Sequence, residues 1–107
     1  MMTRNIHKAI IALLLVGLPS ITFAKRYDVA LPEVASYLKT AQPGDRIYIK
    51  DGQYKDMQLK WIGKGTEKSP ITIEALNPGK VKIEGGSILR IAGEWLSVSG
   101  LHFTDGY

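Results

Sequence analysis

From Arg46 onward, apolar and polar residues alternate in short runs. Ile47 and Ile49 alternate with Tyr48 and Lys50, and Met57, Leu59 and Trp61 with Gln58 and Lys60. The same pattern returns at Ile71, Ile73 and Ala75, at Val81 and Ile83, and at Leu96 and Val98. Asp51-Gly52, Asn77-Pro78-Gly79, Gly85-Gly86 and Asp105-Gly106 separate the runs. Period two between turn-forming residues predicts short strands with one buried face.

The segment before Arg46 has a different period. Val34, Leu38 and Ala41 share one helical face, Ala35 and Tyr37 lie beside it, and Pro32 suits a first turn. Gln42-Pro43-Gly44-Asp45 then stops the helix. One helix over about Pro32–Thr40 is therefore expected as the first element after any leader.

The strands recur at a nearly constant spacing. Ile47 to Ile71, Ile49 to Ile73, Met57 to Val81 and Leu59 to Ile83 are each 24 residues apart, and Ile71 to Leu96 and Ile73 to Val98 are 25. Two strand families with one period are what stacked coils of a solenoid produce. A small antiparallel sandwich or barrel would satisfy the alternation but gives no reason for a fixed interval. The expected fold is all-β: the first two to three coils of a right-handed parallel β-helix. The helix is expected to be an N-terminal cap over the first coil's apolar end. No matching cap follows Leu101-His102-Phe103, so the chain reads as the start of a longer protein.

The opening residues carry a separate message. Arg4 and Lys8 precede the apolar run Ala9–Leu18, after which Pro19 and Ser20 break the helix and Thr22 and Ala24 supply small residues. This is the layout of a secretory signal peptide. As a membrane anchor the run is too short, since ten residues rise about 15 Å against a hydrocarbon core of about 30 Å. Residues 1–24 are therefore expected to be a leader cut between Ala24 and Lys25, making the protein periplasmic or secreted, with no membrane association afterwards. Residues 25–107 would form the mature domain.

The leader also changes the charge balance. The whole chain of 107 residues has 14 Lys and Arg against 10 Asp and Glu, a net +4, but beyond Ala24 the balance is 12 against 10. That gives no electrostatic case for binding nucleic acid. The chain contains no cysteine, which excludes disulfides, thiolate metal sites and a thiol nucleophile.

Three stretches resemble a known family. They are Pro43-Gly44-Asp45, Ile49-Lys50-Asp51-Gly52-Gln53-Tyr54-Lys55-Asp56, and Pro70-Ile71-Thr72-Ile73-Glu74-Ala75-Leu76-Asn77-Pro78-Gly79-Lys80-Val81. They are similar to the opening of the family six polysaccharide lyases, the chondroitinase B and alginate lyase enzymes. Gly93-Glu94-Trp95-Leu96 and Gly100–Gly106 continue the likeness, which covers about residues 29–107. The resemblance implies a right-handed parallel β-helix, export, and β-elimination on an acidic polysaccharide as partner. It also implies a calcium ion neutralising the uronate carboxylate, a lysine base and an arginine acid. No residue here falls in a matching catalytic motif. The chain alone is expected to hold no catalytic group and no cofactor, and to be inactive.

Few residues compete for a chemical role. Asp45, Asp51 and Asp56 suggest an oxygen-rich calcium site, but their spacing fits no metal loop and turns select aspartate. His102 is expected to point outward, without a carboxylate partner. Lys60, Lys82 and Arg90, with Lys55, Lys64, Lys68 and Lys80 in nearby turns, offer a weak glycan-contact surface. The competing reading is a solvated face interspersed with Glu67, Glu74 and Glu84. Trp61 and Trp95 are sugar-stacking candidates, but core or loop packing is the simpler reading for each. Two functions remain: the N-terminal fragment of an exported polysaccharide lyase, or a non-catalytic β-solenoid module that binds acidic glycans or a protein.

Overall fold

A computed structural model describes residues 24–104. The leader apart from Ala24 lies outside them. Nine strands alternate with short corners: β1 (Arg26–Val29), β2 (Arg46–Ile49), β3 (Gly52–Lys55), β4 (Gln58–Lys64), β5 (Ile71–Ala75), β6 (Val81–Glu84), β7 (Ile88–Glu94), β8 (Leu96–Ser99) and β9 (Leu101–Phe103). Between β1 and β2, a 3₁₀ turn at Leu31–Glu33 runs into a short helix, α1 (Val34–Leu38).

From β2 onward each strand pairs with the equivalent strand of the next round, while β1 pairs with β2 across the helical segment between them. The order is β1-β2-β5-β8 in one sheet, β3-β6-β9 in a second and β4-β7 in a third. Every pairing is parallel. Parallel neighbours cannot be joined by a hairpin, so the chain crosses from β1 to β2 through the helical segment and thereafter visits the other two sheets before it returns. The described fold is thus mostly strand, with one short helix.

The core is a set of apolar ladders. In the first sheet Ile47 lies beside Ile73, which lies beside Val98, while Ile49 lies beside Ala75. Val81 and Ile83 supply the second sheet's buried face, and Leu59 and Trp61 the third's. Identical faces stack because parallel register places like positions over like. Burial fades toward the last strands: Ile47, Ile73 and Trp61 are wholly buried, Leu96, Val98 and Leu101 are half-buried, and Phe103 is exposed.

Several expectations need correcting. There are three strand stacks and not two, because β3 and β7 lack the alternation that marks the others. The constant interval also fails. Ile47 pairs with Ile73, 26 residues on, where the spacing predicts Ile71. Val81 pairs with Gly52 and Leu59 with Leu89, so the second family joined strands from different sheets. Corner lengths cause this, since six residues separate β4 from β5 whereas Trp95 alone separates β7 from β8. The 25-residue spacing holds, since Ile71 pairs with Leu96 and Ile73 with Val98. Between β2 and β5 the slip of two residues keeps every side chain on its face, so the buried positions there were right although the partners were not.

The segment around α1 differs too. Strand β1 precedes the helix and was not expected, since only Val29 of its four residues is buried. The helix is shorter than Pro32–Thr40, its last turn tightened by bonds from the Thr40 N–H to the Tyr37 carbonyl and from Ala41 to Leu38. Leu31 is buried in the 3₁₀ turn before it, and the helix itself buries Val34 and Leu38. It lies against β4, where Leu38 approaches Gly63. Tyr37 also meets Tyr27 of β1, ring centroids 5.1 Å apart.

Candidate functional site

The three aspartates occupy three successive corners, and each carboxylate is already engaged. Asp45, ahead of β2, is 2% exposed. Its Oδ2 accepts the Gln42 N–H at 2.8 Å and its Oδ1 the Lys25 N–H at 2.9 Å. Asp51 accepts from the Asn77 side-chain amide at 2.9 Å. Asp56 sits at a φ of 54°, and its Oδ1 accepts the Gly86 N–H at 2.7 Å. These are corner ties from one round of the chain to another. No group of three or more His, Asp or Glu able to hold a metal occurs among the described residues. The residues present do not fit the calcium ion that the family resemblance implies.

The basic candidates divide between two sheets. Lys60 on β4 and Arg90 on β7 are register partners, and both are exposed. Gln58 and Lys64 share the outward face of β4 with Lys60, and Lys64 is opposite Glu94. Lys82 belongs to the second sheet, between Gln53 and His102. Two cationic side chains rooted on strands about 4.8 Å apart repel each other, a cost that a bound anion would offset. His102 is exposed, as its position between Leu101 and Phe103 predicted.

The two tryptophans have opposite fates. Trp61 is wholly buried, in register with Ile91, and cannot meet a sugar ring. Trp95 forms the tight corner between β7 and β8 at a φ of 53° and is 53% exposed. A missed charged feature lies on the first sheet, where Arg26 sits over the Tyr48 ring at 4.2 Å and bonds Asp28 at 2.9 Å. That bond is the main reason its guanidinium pKa lies above the ordinary value. Only the alternation of Arg26 and Asp28 in sequence could have signalled it. No general base, acid and carboxylate clamp converge anywhere among the described residues, and no helix there is long and apolar enough to cross a membrane.

The stacked parallel sheets have clear relatives. The family model for Chondroitinase B matches residues 30–107. A family six alginate lyase, AlyGC, superposes with a TM-score of 0.69 at 42% identity, over 77% of this chain and 11% of that one. The family six lyase Pedsa3628 from Pseudopedobacter saltans gives 0.66 at 30% identity, over 75% and 18%. A mannuronic acid specific family six lyase from human gut microbiota gives 0.61 at 35%, over 72% and 19%. No curated protein matches. The chain belongs to the chondroitinase B family of polysaccharide lyases, with the likeness of an N-terminal part. It spans between about a tenth and a fifth of the length of these structures.

Proposed function

We propose that this chain forms the opening coils of an exported lyase that cleaves a uronate-containing polysaccharide such as alginate or chondroitin and dermatan sulfate by β-elimination. The observation that carries the reading is the family match over residues 30–107 together with solved family six lyases at up to 46% identity. The three parallel stacks are the first coils of a right-handed parallel β-helix, and α1 is the lid on its first coil. The role of the chain is architectural, since the catalytic groups and the calcium ligands belong to coils that it does not supply. The leader is removed between Ala24 and Lys25 on export.

The Lys60–Arg90 row adds a contact to the anionic chain, and Lys82 lies apart from it on another sheet. Two measurements test the whole reading. Incubated with alginate or dermatan sulfate and calcium, the chain alone should produce no ultraviolet absorbance from unsaturated uronate. A protein extended past Tyr107 by the reading frame's further coils should produce it. Activity in the short chain, or none in the extended one on any uronate polymer, contradicts the division of labour. A Lys60→Gln, Arg90→Gln double variant should elute from immobilised alginate at lower salt than the wild type, by roughly the loss of two screened surface charges. Unchanged elution would leave that row as ordinary solvated surface.

A further inference from the structure

Asp45 is a buried carboxylate with no counter-charge among the described residues. It is 2% exposed, and both of its oxygens are taken by backbone N–H groups. Among the described residues the one ion pair joins Arg26 to Asp28, so no cationic side chain reaches Asp45. A buried charge held only by neutral donors is costly, and such carboxylates are normally found opposite a cation. The group on Oδ1 is the backbone nitrogen of Lys25, the residue that begins the mature chain in the export reading.

We propose that leader removal creates the missing partner: the new α-ammonium of Lys25 pairs with Asp45 and locks the start of the chain onto the first coil. The inference rests on cleavage between Ala24 and Lys25. In that hydrolysis the Ala24 C–N bond breaks and water gives its oxygen to the Ala24 carboxylate and a hydrogen to the Lys25 nitrogen. The resulting amine takes up a proton. A neutral N–H 2.9 Å from Oδ1 thereby becomes a charged donor at the same position. The surroundings already hold that nitrogen in place. The Lys25 carbonyl accepts the Arg46 N–H at 2.9 Å, and the Asp45 N–H bonds the Gln42 carbonyl at 3.0 Å. The Asp45 carbonyl in turn accepts the Thr72 N–H of the next coil at 3.0 Å. The lock therefore joins the N-terminus, the corner before β2 and the following strand of the same sheet. Ala24 and Lys25 are both exposed, so the bond to be cut is accessible. The uncut precursor lacks the ammonium and should be the looser form, suited to passage through an export channel.

The test uses the full chain, expressed with its leader in a Gram-negative host and recovered from the periplasm. Mass spectrometry first reads the N-terminus, independently of any pairing. A terminus other than Lys25 refutes the cleavage site and the lock with it. With Lys25 as the terminus, brief acylation near neutral pH should modify the α-amine at least tenfold more slowly in the native protein than in urea, a factor equal to about 1.4 kcal/mol. Asp45→Asn should abolish that protection and leave exposed lysines such as Lys60 unchanged. A second measurement needs no variant. Acetylating the α-amine in the unfolded protein and refolding it restores the precursor's neutral N–H, and should lower the folding equilibrium constant at least fivefold. Equal reactivity in native and unfolded protein, or no loss on acetylation, overturns the lock while leaving the export reading intact.

Discussion

Replacing Trp61 with phenylalanine and with alanine separates two contributions that its burial combines. The indole is wholly inaccessible, and its Nε1 has no hydrogen-bond partner among the protein groups. An unpaired buried N–H costs about 1–3 kcal/mol. Phenylalanine removes that cost and leaves a gap of roughly 40 Å³, which at about 24 cal/mol per Å³ loses about 1 kcal/mol. The lost burial of the removed atoms adds about another 1 kcal/mol, so gain and loss nearly cancel and Trp61→Phe should lie within about 1 kcal/mol of the wild type. Trp61→Ala loses the aromatic contacts as well and should cost about 3–5 kcal/mol. Against a total of roughly 4–12 kcal/mol for a domain of this size, that is enough to unfold much of the protein. Urea titration followed by far-ultraviolet circular dichroism reads the difference. The alanine midpoint should fall by roughly 2–3 M, with the phenylalanine midpoint nearly unmoved. Equal losses in the two variants would mean that the N–H is well satisfied. A small loss in both would remove Trp61 from the core and restore it as a sugar-stacking candidate.

Two further outcomes follow from the ladders and corners. Ile73 lies between Ile47 and Val98 and is wholly buried, so Ile73→Ala should cost about 3–4 kcal/mol and half-buried Val98→Ala no more than about 1, in the same titration. Equal costs would show that the last strand is as well packed as the middle one. Gly93 adopts a φ of 116°, and an added Cβ would collide with the Gly63 carbonyl oxygen across the β4–β7 ladder. Gly93→Ala should therefore destabilise by about 3 kcal/mol or more, and a melting temperature within a degree of the wild type would show that this register is wrong.

How legible the fold was depended on which strands carried a buried face. β2, β5, β6 and β8 alternate apolar and polar residues and announced themselves. β4 did so through Leu59 and Trp61. β3 is Gly-Gln-Tyr-Lys, with Tyr54 and Gly52 half-buried and nothing fully inside, so its sequence reads as a turn. β7 carries Ile88 and Ala92 on the outward face with Arg90, and leaves Ile91, in register with buried Trp61, in the open because no later strand covers it among the described residues. Such strands form because a neighbour offers an edge to pair with, a stabilisation that local pattern does not record. The same reasoning explains β1, which is held by Arg26–Val29 pairing with Arg46–Ile49 while burying one side chain. Missing β3 and β7 turned three stacks into two and joined β4 to β6, which produced the false 24-residue spacing of the second series.

The candidate chemistry was less legible, and the aspartates show why. Asp45, Asp51 and Asp56 fall within twelve residues, a density that in a loop would bring carboxylates together around a cation. Here the intervening segments are strands, β2 between the first two and β3 between the last two. These strands belong to different sheets, so each aspartate is carried to a different corner. Each then spends its lone pairs on a donor from another round of the chain: Lys25 for Asp45, Asn77 for Asp51 and Gly86 for Asp56. Acidic residues close in sequence but separated by strands of different sheets diverge, whereas residues one round apart converge. A carboxylate cluster on this architecture therefore has to be sought 20 to 30 residues apart along the chain, at equivalent positions of stacked strands such as Lys60 and Arg90. By that rule the described residues of β4 and β7 set two cations, Lys60 and Arg90, side by side and no two carboxylates.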